Sequence, residues 1–241
     1  MAAEFRFADH GEFPATLGSG DTPGVKLFMV DTEVVPLPIN YLDVVSVEER
    51  KKANSYAFDW LVKRHLMGRF FLRQVLGAAL NLDPGSLCFE RDHHGKLGLC
   101  GNQRVNFNLS YSGRVVLIAL ADFPIGVDIE RINPTFAYQD IVGHYFSPEE
   151  SRYISNARDS ADAFFLLWTR KEAVLKAVGI GLVDDLHTVP SIRTSHVRDM
   201  GSKRLSSGTW QVNSYTFAGR FRISIACPTA CYGVDFSFLG D

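Results

Sequence analysis

The sequence lacks the features of several protein classes. No apolar run approaches the roughly 20 residues that a membrane span requires, and the first residues, MAAEFRFADHGEF, carry acidic side chains where a secretory signal has an apolar core. Cysteine is scarce, with four residues in 241, too few for a disulfide scaffold. We therefore expect a cytoplasmic protein with free thiols. The CxxxC spacing of Cys227 and Cys231 has no neighbouring His or Cys cluster to complete a zinc site.

No charge of one sign is in excess either. The 25 basic and 27 acidic residues give a net charge of −2, which does not support bulk binding to nucleic acid. An anionic ligand must therefore be held by a local basic cluster. Hydrophobic residues make up 46% of the chain, an ordinary globular balance that excludes a wholly disordered protein.

Four segments carry the signals of helices, namely a capping box, apolar residues at helical spacing or a glycine stop. We predict helices that begin near Val47, span 59–80, follow Ser147, and span 161–178. Gly68 lies inside the second helix, where glycine costs about 1 kcal/mol relative to alanine. A glycine there indicates tight helix packing or the close approach of another backbone or a ligand.

Strands are predicted between and after the helices, at 26–35, 105–111, 115–120 and 125–132 and again beyond residue 190. Each half of the chain thus has a long helix followed by several strands. The segments RFFLRQVLG (69–77) and RKEAVLKAVG (170–179) are faintly similar. These observations favour an α+β protein built from a duplicated unit.

Two carboxylates occupy one strand. Asp128 and Glu130 in GVDIE are two residues apart, so they project to the same face, while Val127 and Ile129 face the core. Paired carboxylates suit a hard cation such as Mg²⁺ or Mn²⁺. The alternative interpretation is a half-exposed strand with solvated acids.

One stripe of the fourth helix carries Trp168, Glu172 and Lys176, each four residues apart. Lys171 lies beside this stripe. The alternative is a surface Glu–Lys pair that contributes only a few tenths of a kcal/mol. If Glu172 joins Asp128 and Glu130, three acids are available for one divalent metal ion.

Basic residues are scattered through the first half of the chain, at Lys52, Arg64, Arg69 and Lys96. Solvated side chains are the ordinary interpretation of such a set. The segment NLSYSG (108–113) offers hydroxyl, amide and backbone groups for a phosphate, but it lacks the GxSxG pattern of a serine hydrolase. Basic groups around a metal ion would together describe a site for a polyphosphate.

The chain resembles the 4′-phosphopantetheinyl transferases of the monomeric, surfactin-synthetase-activating type. IGVDIE (125–130) and WTRKEAVLK (168–176) match the two signature motifs of that family, with FSPEE (146–150) between them. HGK (94–96) and FNLSYSG (107–113) match further family blocks, and residues 46–73 resemble the N-terminal helical region. The resemblance covers residues 46–182.

The resemblance implies a pseudo-dimer of two similar α+β halves, with residues 1–122 contributing to coenzyme A binding and residues 123–241 carrying the metal-binding acids and the catalytic helix. It places the active site between the halves. The implied reaction moves the phosphopantetheine arm of coenzyme A to a serine of an apo carrier protein. The products are the holo-carrier protein and adenosine 3′,5′-bisphosphate. The implied partners are coenzyme A and carrier proteins, with no nucleic acid or membrane.

The family's functional residues match particular positions here. The resemblance implies that Mg²⁺, or Mn²⁺, is bound by Asp128, Glu130 and Glu172. Glu172 also matches the general base, and Lys176 matches the lysine that stabilises the departing phosphate. The matching coenzyme A contacts are Lys52, Arg64, Lys96, Ser110, Tyr111 and Lys171.

Tyr111 departs from the family pattern, which commonly has histidine after the serine. A tyrosine donates a hydrogen bond to a phosphate but supplies no cationic imidazole, so the affinity and the selectivity for the 3′-phosphate of coenzyme A are open. Arg170 is a smaller departure that adds one positive charge. Two other functions remain as alternatives: a non-catalytic coenzyme A or nucleotide sensor, and a metal-dependent phosphoesterase. The sequence does not indicate which carrier protein is modified.

Overall fold

The computed structural model describes residues 6–7, 24–101, 104–181, 185–193, 195–196, 210–228 and 233–239. It contains two units: unit 1 spans Met1–Glu90, Leu97–Asp122 and Cys231–Asp241, and unit 2 spans Arg91–Lys96 and Phe123–Ala230. Asp122 and Phe123 belong to different units, and the division into halves at 1–122 and 123–241 with their separate roles stays a prediction. Two short segments cross over. Arg91–Lys96 lies in the first half of the sequence but belongs to unit 2, and Cys231–Asp241 lies in the second half but belongs to unit 1.

Both units contain helices and strands, which come in runs of one type along the chain, so the protein is a mixed α+β protein as predicted. The helices are α1 (Tyr41–Val44), α2 (Val47–Ala53), α3 (Asp59–Leu80), α4 (Gln139–Tyr145), α5 (Pro148–Asn156) and α6 (Ser160–Val178). The strands are β1 (Arg6–Phe7), β2 (Gly24–Asp31), β3 (Phe89–Arg91), β4 (Leu97–Leu99), β5 (Asn106–Ser112), β6 (Val115–Ala121), β7 (Gly126–Arg131), β8 (Ser195–His196), β9 (Trp210–Phe217), β10 (Phe221–Cys227) and β11 (Gly233–Phe238).

Unit 1 is a five-stranded sheet in the order β1-β11-β2-β6-β5, packed against α3. The pairs β1–β11 and β11–β2 are parallel, and the other two pairs are antiparallel. Every residue of β6 is buried, so this continuous apolar strand is the centre of the core. The capping box of Ser46 and Glu49 starts α2, as predicted.

Unit 2 is a four-stranded antiparallel sheet in the order β7-β10-β9-β8, with α6 packed across β7 and β10. A second capping box, formed by Ser147 and Glu150, starts α5 with Pro148 at its first position. Gly179 ends α6 in the left-handed conformation, with φ of 83°. The sequence signals at these helix ends are thus confirmed.

The differences from prediction lie in short elements. The helices α1 and α4, each seven residues or fewer, carry weak sequence signals and were not predicted. The predicted N-terminal arm, residues 1–24, lies mostly outside the described residues, although residues 6–7 form β1. None of the helices in the described ranges is both long and apolar enough to cross a bilayer.

The prediction of free thiols is wrong for the hairpin of β3 and β4. Cys88 and Cys100 flank this hairpin and form a disulfide with Cα atoms 5.4 Å apart. The backbone N–H of Cys100 donates to the carbonyl of Cys88 at 2.9 Å, so the hairpin register itself places the two residues opposite each other. Among the described cysteines none is free. A count of cysteines does not reveal such a local pairing.

Candidate active site

Gly126 allows α6 to lie directly on β7. A Cβ atom at this position would be 2.0 Å from the carbonyl oxygen of Ala173 and 2.2 Å from the backbone nitrogen of Ala177. Backbone atoms of a helix cannot move aside as a side chain can, so only glycine fits. Residues two apart on a strand share a face, and therefore Asp128 and Glu130 project to the side that α6 covers.

Lys176 of α6 forms an ion pair with Asp128 of β7. The ammonium nitrogen lies 2.5 Å from Oδ1 of the carboxylate. Asp128 is only 3% exposed, and a carboxylate buried to this extent requires charge compensation. Lys176 supplies this compensation from α6, which packs on β7. The fold thus brings together the strand motif and the helix motif.

Glu172 lies one turn before Lys176, beside the same carboxylate. Burial raises the pKa of Glu172, the negative charge of Asp128 raises it further, and Lys176 opposes the shift. Two carboxylates and one ammonium group from two distant parts of the chain thus interact. A carboxyl group with a raised pKa is suited to accept and release a proton near neutral pH.

The residues present fit a divalent cation in their chemistry. Carboxylate oxygens are the ligands that Mg²⁺ prefers, and a cation would relieve the repulsion between Asp128 and Glu172. Glu130 lies on the same face of β7, directly opposite Arg222 of β10. In the part of the chain that the structure describes, no three His, Cys, Asp or Glu side chains form a group that could hold a metal. The participation of Glu130 therefore stays a prediction.

Hydroxyl groups connect α6 to the sheet beneath it. Ser224, which is paired in register with Asp128, lies 2.8 Å from the hydroxyl of Thr169 and 2.9 Å from that of Ser214. Arg170 donates from Nε to the Ser214 hydroxyl at 2.9 Å. The extra positive charge of Arg170, noted in the sequence, is therefore part of the packing beneath α6.

Lys171 is fully buried, with an exposed fraction of 0%. Its ammonium group lies 2.9 Å from Glu150, the capping-box residue of α5, and donates to the carbonyls of Leu186 and Val189. Burial lowers the pKa of Lys171, and the charge of Glu150 opposes the shift. This position argues against the predicted coenzyme A contact. In the sequence, the capping box predicted that Glu150 lies at the start of a helix. Nothing in the motif indicated that Glu150 also pairs with Lys171.

Lys96 lies at the carboxyl end of α6. Its ammonium group donates to the carbonyl of Ala177 at 2.9 Å, and burial lowers its pKa. A cation at the end of a helix interacts favourably with the last free carbonyls. The predicted contact of Lys96 with coenzyme A is not tested by this position and stays a prediction.

The remaining predicted ligand contacts lie in unit 1. Arg64 donates to the carbonyl of Gly113 at 2.6 Å, and its guanidinium carbon is 5.1 Å from the ring centre of Tyr111. Lys52 is exposed on α2. Ser110 is buried, on the face of β5 opposite to Tyr111. The structure thus brings together Arg64 and Tyr111, while Ser110 points away from them.

Tyr111 explains the glycine inside α3. A Cβ atom at Gly68 would lie 3.0 Å from the tyrosine hydroxyl and 3.1 Å from Cε1 of its ring. The glycine therefore makes room for an aromatic side chain, which is the helix-packing interpretation of the sequence. Burial raises the pKa of Tyr111, and nearby Arg69 and Arg64 oppose the shift.

Comparison with known proteins identifies the family. Residues 124–226 match a model described as the 4′-phosphopantetheinyl transferase superfamily, and residues 39–122 match one described as the N-terminal region of 4′-phosphopantetheinyl transferase. The chain belongs to the 4′-phosphopantetheinyl transferase superfamily. The strand β7 and the helix α6 lie within the first match, and Arg64 and Tyr111 lie within the second.

Several curated proteins of this superfamily are similar to the chain. A 4′-phosphopantetheinyl transferase of Bacillus subtilis is 33% identical over 140 residues, which cover 57% of this chain and 62% of the relative. A Synechocystis sp. protein that bears the same family name is 31% identical over 69% of each chain. An L-aminoadipate-semialdehyde dehydrogenase-phosphopantetheinyl transferase of Schizosaccharomyces pombe is 27% identical over 80% of this chain and 87% of its own length. The chain spans 61–63% of the length of the first three relatives.

Proposed function

We propose that this protein transfers the 4′-phosphopantetheine arm of coenzyme A to a serine hydroxyl of an apo carrier protein. The observation that carries the proposal is the meeting of β7 and α6, where Lys176 contacts Asp128 and the charge of Asp128 acts on Glu172. Membership of the superfamily supports the same reaction. The monomeric and cytoplasmic state expected from the sequence stays a prediction.

The residues of this chain account for the proton and the charge in that reaction. Glu172, with its raised pKa, accepts the proton of the carrier serine as the serine oxygen bonds to the phosphorus next to pantetheine. The bond from that phosphorus to the bridging oxygen breaks, and adenosine 3′,5′-bisphosphate leaves. Lys176 offsets the negative charge that forms on the leaving phosphate.

Coenzyme A carries a pyrophosphate, and a metal ion at the site would supply charge neutralisation to it. The residues that would hold Mg²⁺, or Mn²⁺, are Asp128 and Glu172 together with Glu130. Their oxygen atoms are the donor type that these ions select. Lys176 provides a positive charge beside Asp128.

The basic residues Lys52, Arg64 and Lys96 are proposed to contact coenzyme A, together with Ser110 and Tyr111. Arg64 and Tyr111 contact each other, so they offer neighbouring donors to one ligand. We leave Lys171 out of the proposal because it is fully buried and paired with Glu150.

The test is to incubate the protein with coenzyme A, Mg²⁺ and a panel of apo carrier proteins from fatty-acid, polyketide, peptide and aminoadipate-reducing systems, followed by intact-mass spectrometry. We expect at least one carrier to gain the mass of the phosphopantetheine arm. Asp128→Asn should abolish this gain, whereas Asp140→Asn, at an exposed acid of α4, should retain it.

Two other outcomes would contradict the proposal. Tight binding of coenzyme A without modification of any carrier would favour the sensor. Release of adenosine 3′,5′-bisphosphate in the absence of a carrier, at the same rate as in its presence, would favour the phosphoesterase.

A further inference from the structure

A disulfide forms part of the wall of a cavity in unit 1. The cavity has a volume of about 690 Å³, which is in the range of sites that hold small molecules. Cys88 and Cys100 both line it, and so does Arg104. The apolar part of its wall includes Leu80, Leu87 and Leu99. A small molecule that enters this cavity can therefore reach the disulfide.

The two cysteines of this disulfide differ in exposure. Cys88 precedes β3 and is exposed, whereas Cys100 follows β4 and is half-buried. Thiol–disulfide exchange requires a thiolate to reach one of the two sulfur atoms, so its rate depends on access, and exposed disulfides exchange more readily than buried ones. The more accessible target for an external thiol is thus Cys88.

The fold holds the two cysteines together independently of the bond between their sulfur atoms. The backbone N–H of Cys100 donates to the carbonyl of Cys88 at 2.9 Å. Leu87 and Leu99, their neighbours in the chain, are buried in one hydrophobic cluster. These contacts do not involve sulfur, so they keep the two thiols adjacent when the disulfide opens. An adjacent thiol displaces an added group efficiently, because the step is intramolecular.

Arg104 gives the cavity a positive charge. It is exposed, and it is the only charged residue among the lining residues that the structure describes. A guanidinium stays protonated throughout the pH range in which thiols ionise. A cation beside a disulfide attracts an anionic thiol and stabilises the thiolate that leaves. Thiols that carry a carboxylate or a phosphate match this charge.

We infer that Cys88 and Cys100 form a reversible modification site for an anionic low-molecular-weight thiol. The thiolate of that molecule bonds to Sγ of Cys88, the bond between the two cysteine sulfurs breaks, and its electron pair leaves on Sγ of Cys100. One disulfide forms for each one that breaks, so the exchange needs no oxidant. In the reverse step, the Cys100 thiolate attacks Sγ of Cys88 and releases the added thiol. This inference is independent of the proposed transfer reaction.

Peptide mapping tests which cysteine is modified. Trypsin cleaves after lysine and arginine, so Cys88 lies in the peptide 74–91 and Cys100 in the peptide 97–104. The folded protein is incubated with 3-mercaptopropionate, an anion, or with cysteamine, a cation of similar size, and free thiols are trapped with N-ethylmaleimide. Mass spectrometry should find the added thiol on 74–91 and N-ethylmaleimide on 97–104.

Substitution of Arg104 tests the preference for an anion. Arg104→Met should lower the ratio of the exchange rates of the anionic and the cationic thiol by about tenfold, the effect of one charge at contact distance in water on two thiols of opposite sign. Comparison of this ratio with that of the wild type removes the intrinsic difference in reactivity between the two thiols. Arg104→Lys should keep the wild-type ratio, and so should Arg158→Met, at an exposed arginine of unit 2.

Three results would overturn the inference: no adduct, an adduct on 97–104 alone, or the wild-type ratio in Arg104→Met. In a sample without N-ethylmaleimide, removal of the free thiol should release the adduct, and a persistent adduct would contradict the role of Cys100. Incubation with glutathione and coenzyme A together distinguishes two sources of an anionic thiol by the mass added to 74–91. Either adduct supports the site, and the absence of both would contradict it.

Discussion

The ammonium group of Lys176 lies 2.5 Å from Oδ1 of Asp128 and so joins the last turns of α6 to β7. Asp128 is almost completely buried, whereas the Lys176 side chain is 27% exposed. The carboxylate therefore depends on the lysine for charge compensation more than the lysine depends on the carboxylate. Removal of the lysine leaves a buried carboxylate without this compensation. Removal of the carboxylate leaves an ammonium group that water can still reach.

Substitution of Lys176 therefore tests whether this pair stabilises the site. We expect Lys176→Met to lower the free energy of unfolding by about 1–3 kcal/mol, less than for a fully buried pair because solvent screens the lysine. Lys176→Arg should retain most of the stability, and transfer turnover should fall further in Lys176→Met than coenzyme A affinity does. Urea unfolding of both variants and of Lys176→Met combined with Asp128→Asn gives the coupling energy. Additive effects in the double variant would contradict a direct interaction.

The raised pKa of Glu172 predicts a pH dependence of stability. In the unfolded chain a glutamate loses its proton near its ordinary pKa of 4.5, and in the folded protein Glu172 does so at higher pH. Between these two values the unfolded state binds fewer protons, so the free energy of unfolding falls as pH rises and becomes level above the folded pKa. Glu172→Gln lacks this fall and should be more stable than the wild type at pH 7–8 but not at pH 4.

Urea unfolding from pH 4 to pH 8 in the presence of a metal chelator measures this effect. Glu90→Gln, at an exposed glutamate, is the matched control for the loss of one negative charge. A difference between Glu172→Gln and the wild type that is the same at every pH would be inconsistent with the raised pKa.

The contact between Gly126 and α6 predicts that this glycine does not tolerate a side chain. Gly126→Ala places a methyl group 2.0 Å from a helix carbonyl, and separation of the helix from the strand should lower stability by about 3 kcal/mol or more. Gly143→Ala is the control, because a Cβ there meets nothing within 4 Å and alanine favours helix α4 by about 1 kcal/mol. Thermal unfolding of the two variants should give shifts of opposite sign.

The burial of Lys171 predicts a structural role. Lys171→Met leaves Glu150 without its cation and should lower stability by about 3–5 kcal/mol, whereas the added substitution Glu150→Gln should recover part of that loss. Below the unfolding temperature, the affinity of Lys171→Met for coenzyme A should equal that of the wild type. Titration calorimetry with coenzyme A measures this affinity. Weaker binding by a folded Lys171→Met variant would support the coenzyme A contact that the sequence predicts for Lys171.

Local signals in the sequence were sufficient for the main elements of the fold. The ends of α3 follow from its apolar spacing, and those of α5 and α6 follow from a capping box and a terminal glycine, because these features depend only on nearby residues. The approach of Glu172 to Asp128 was expected from the two motifs. Its physical basis, the missing side chain at Gly126, was not recognised in the sequence.

Side-chain direction on the helices was the part that local signals did not predict. Arg170, Lys171 and Glu172 are consecutive and polar, yet one bonds to hydroxyls on the sheet, one is buried against α5 and one lies beside Asp128. Which neighbour surrounds each residue depends on elements that are distant in the chain. The disulfide of Cys88 and Cys100 was missed for a different reason, since it depends on the register of one hairpin, which the number of cysteines does not indicate.

The contact at Gly126 has a consequence for protein engineering. Because no side chain separates the two backbones there, the distance between the main chains of β7 and α6 is set at Gly126 by backbone contact. Residues 126–131 and 160–178 therefore depend on each other for this close packing. Grafted together into another α+β scaffold with the glycine retained, the two segments would carry their relative positions with them, whereas either segment alone would not.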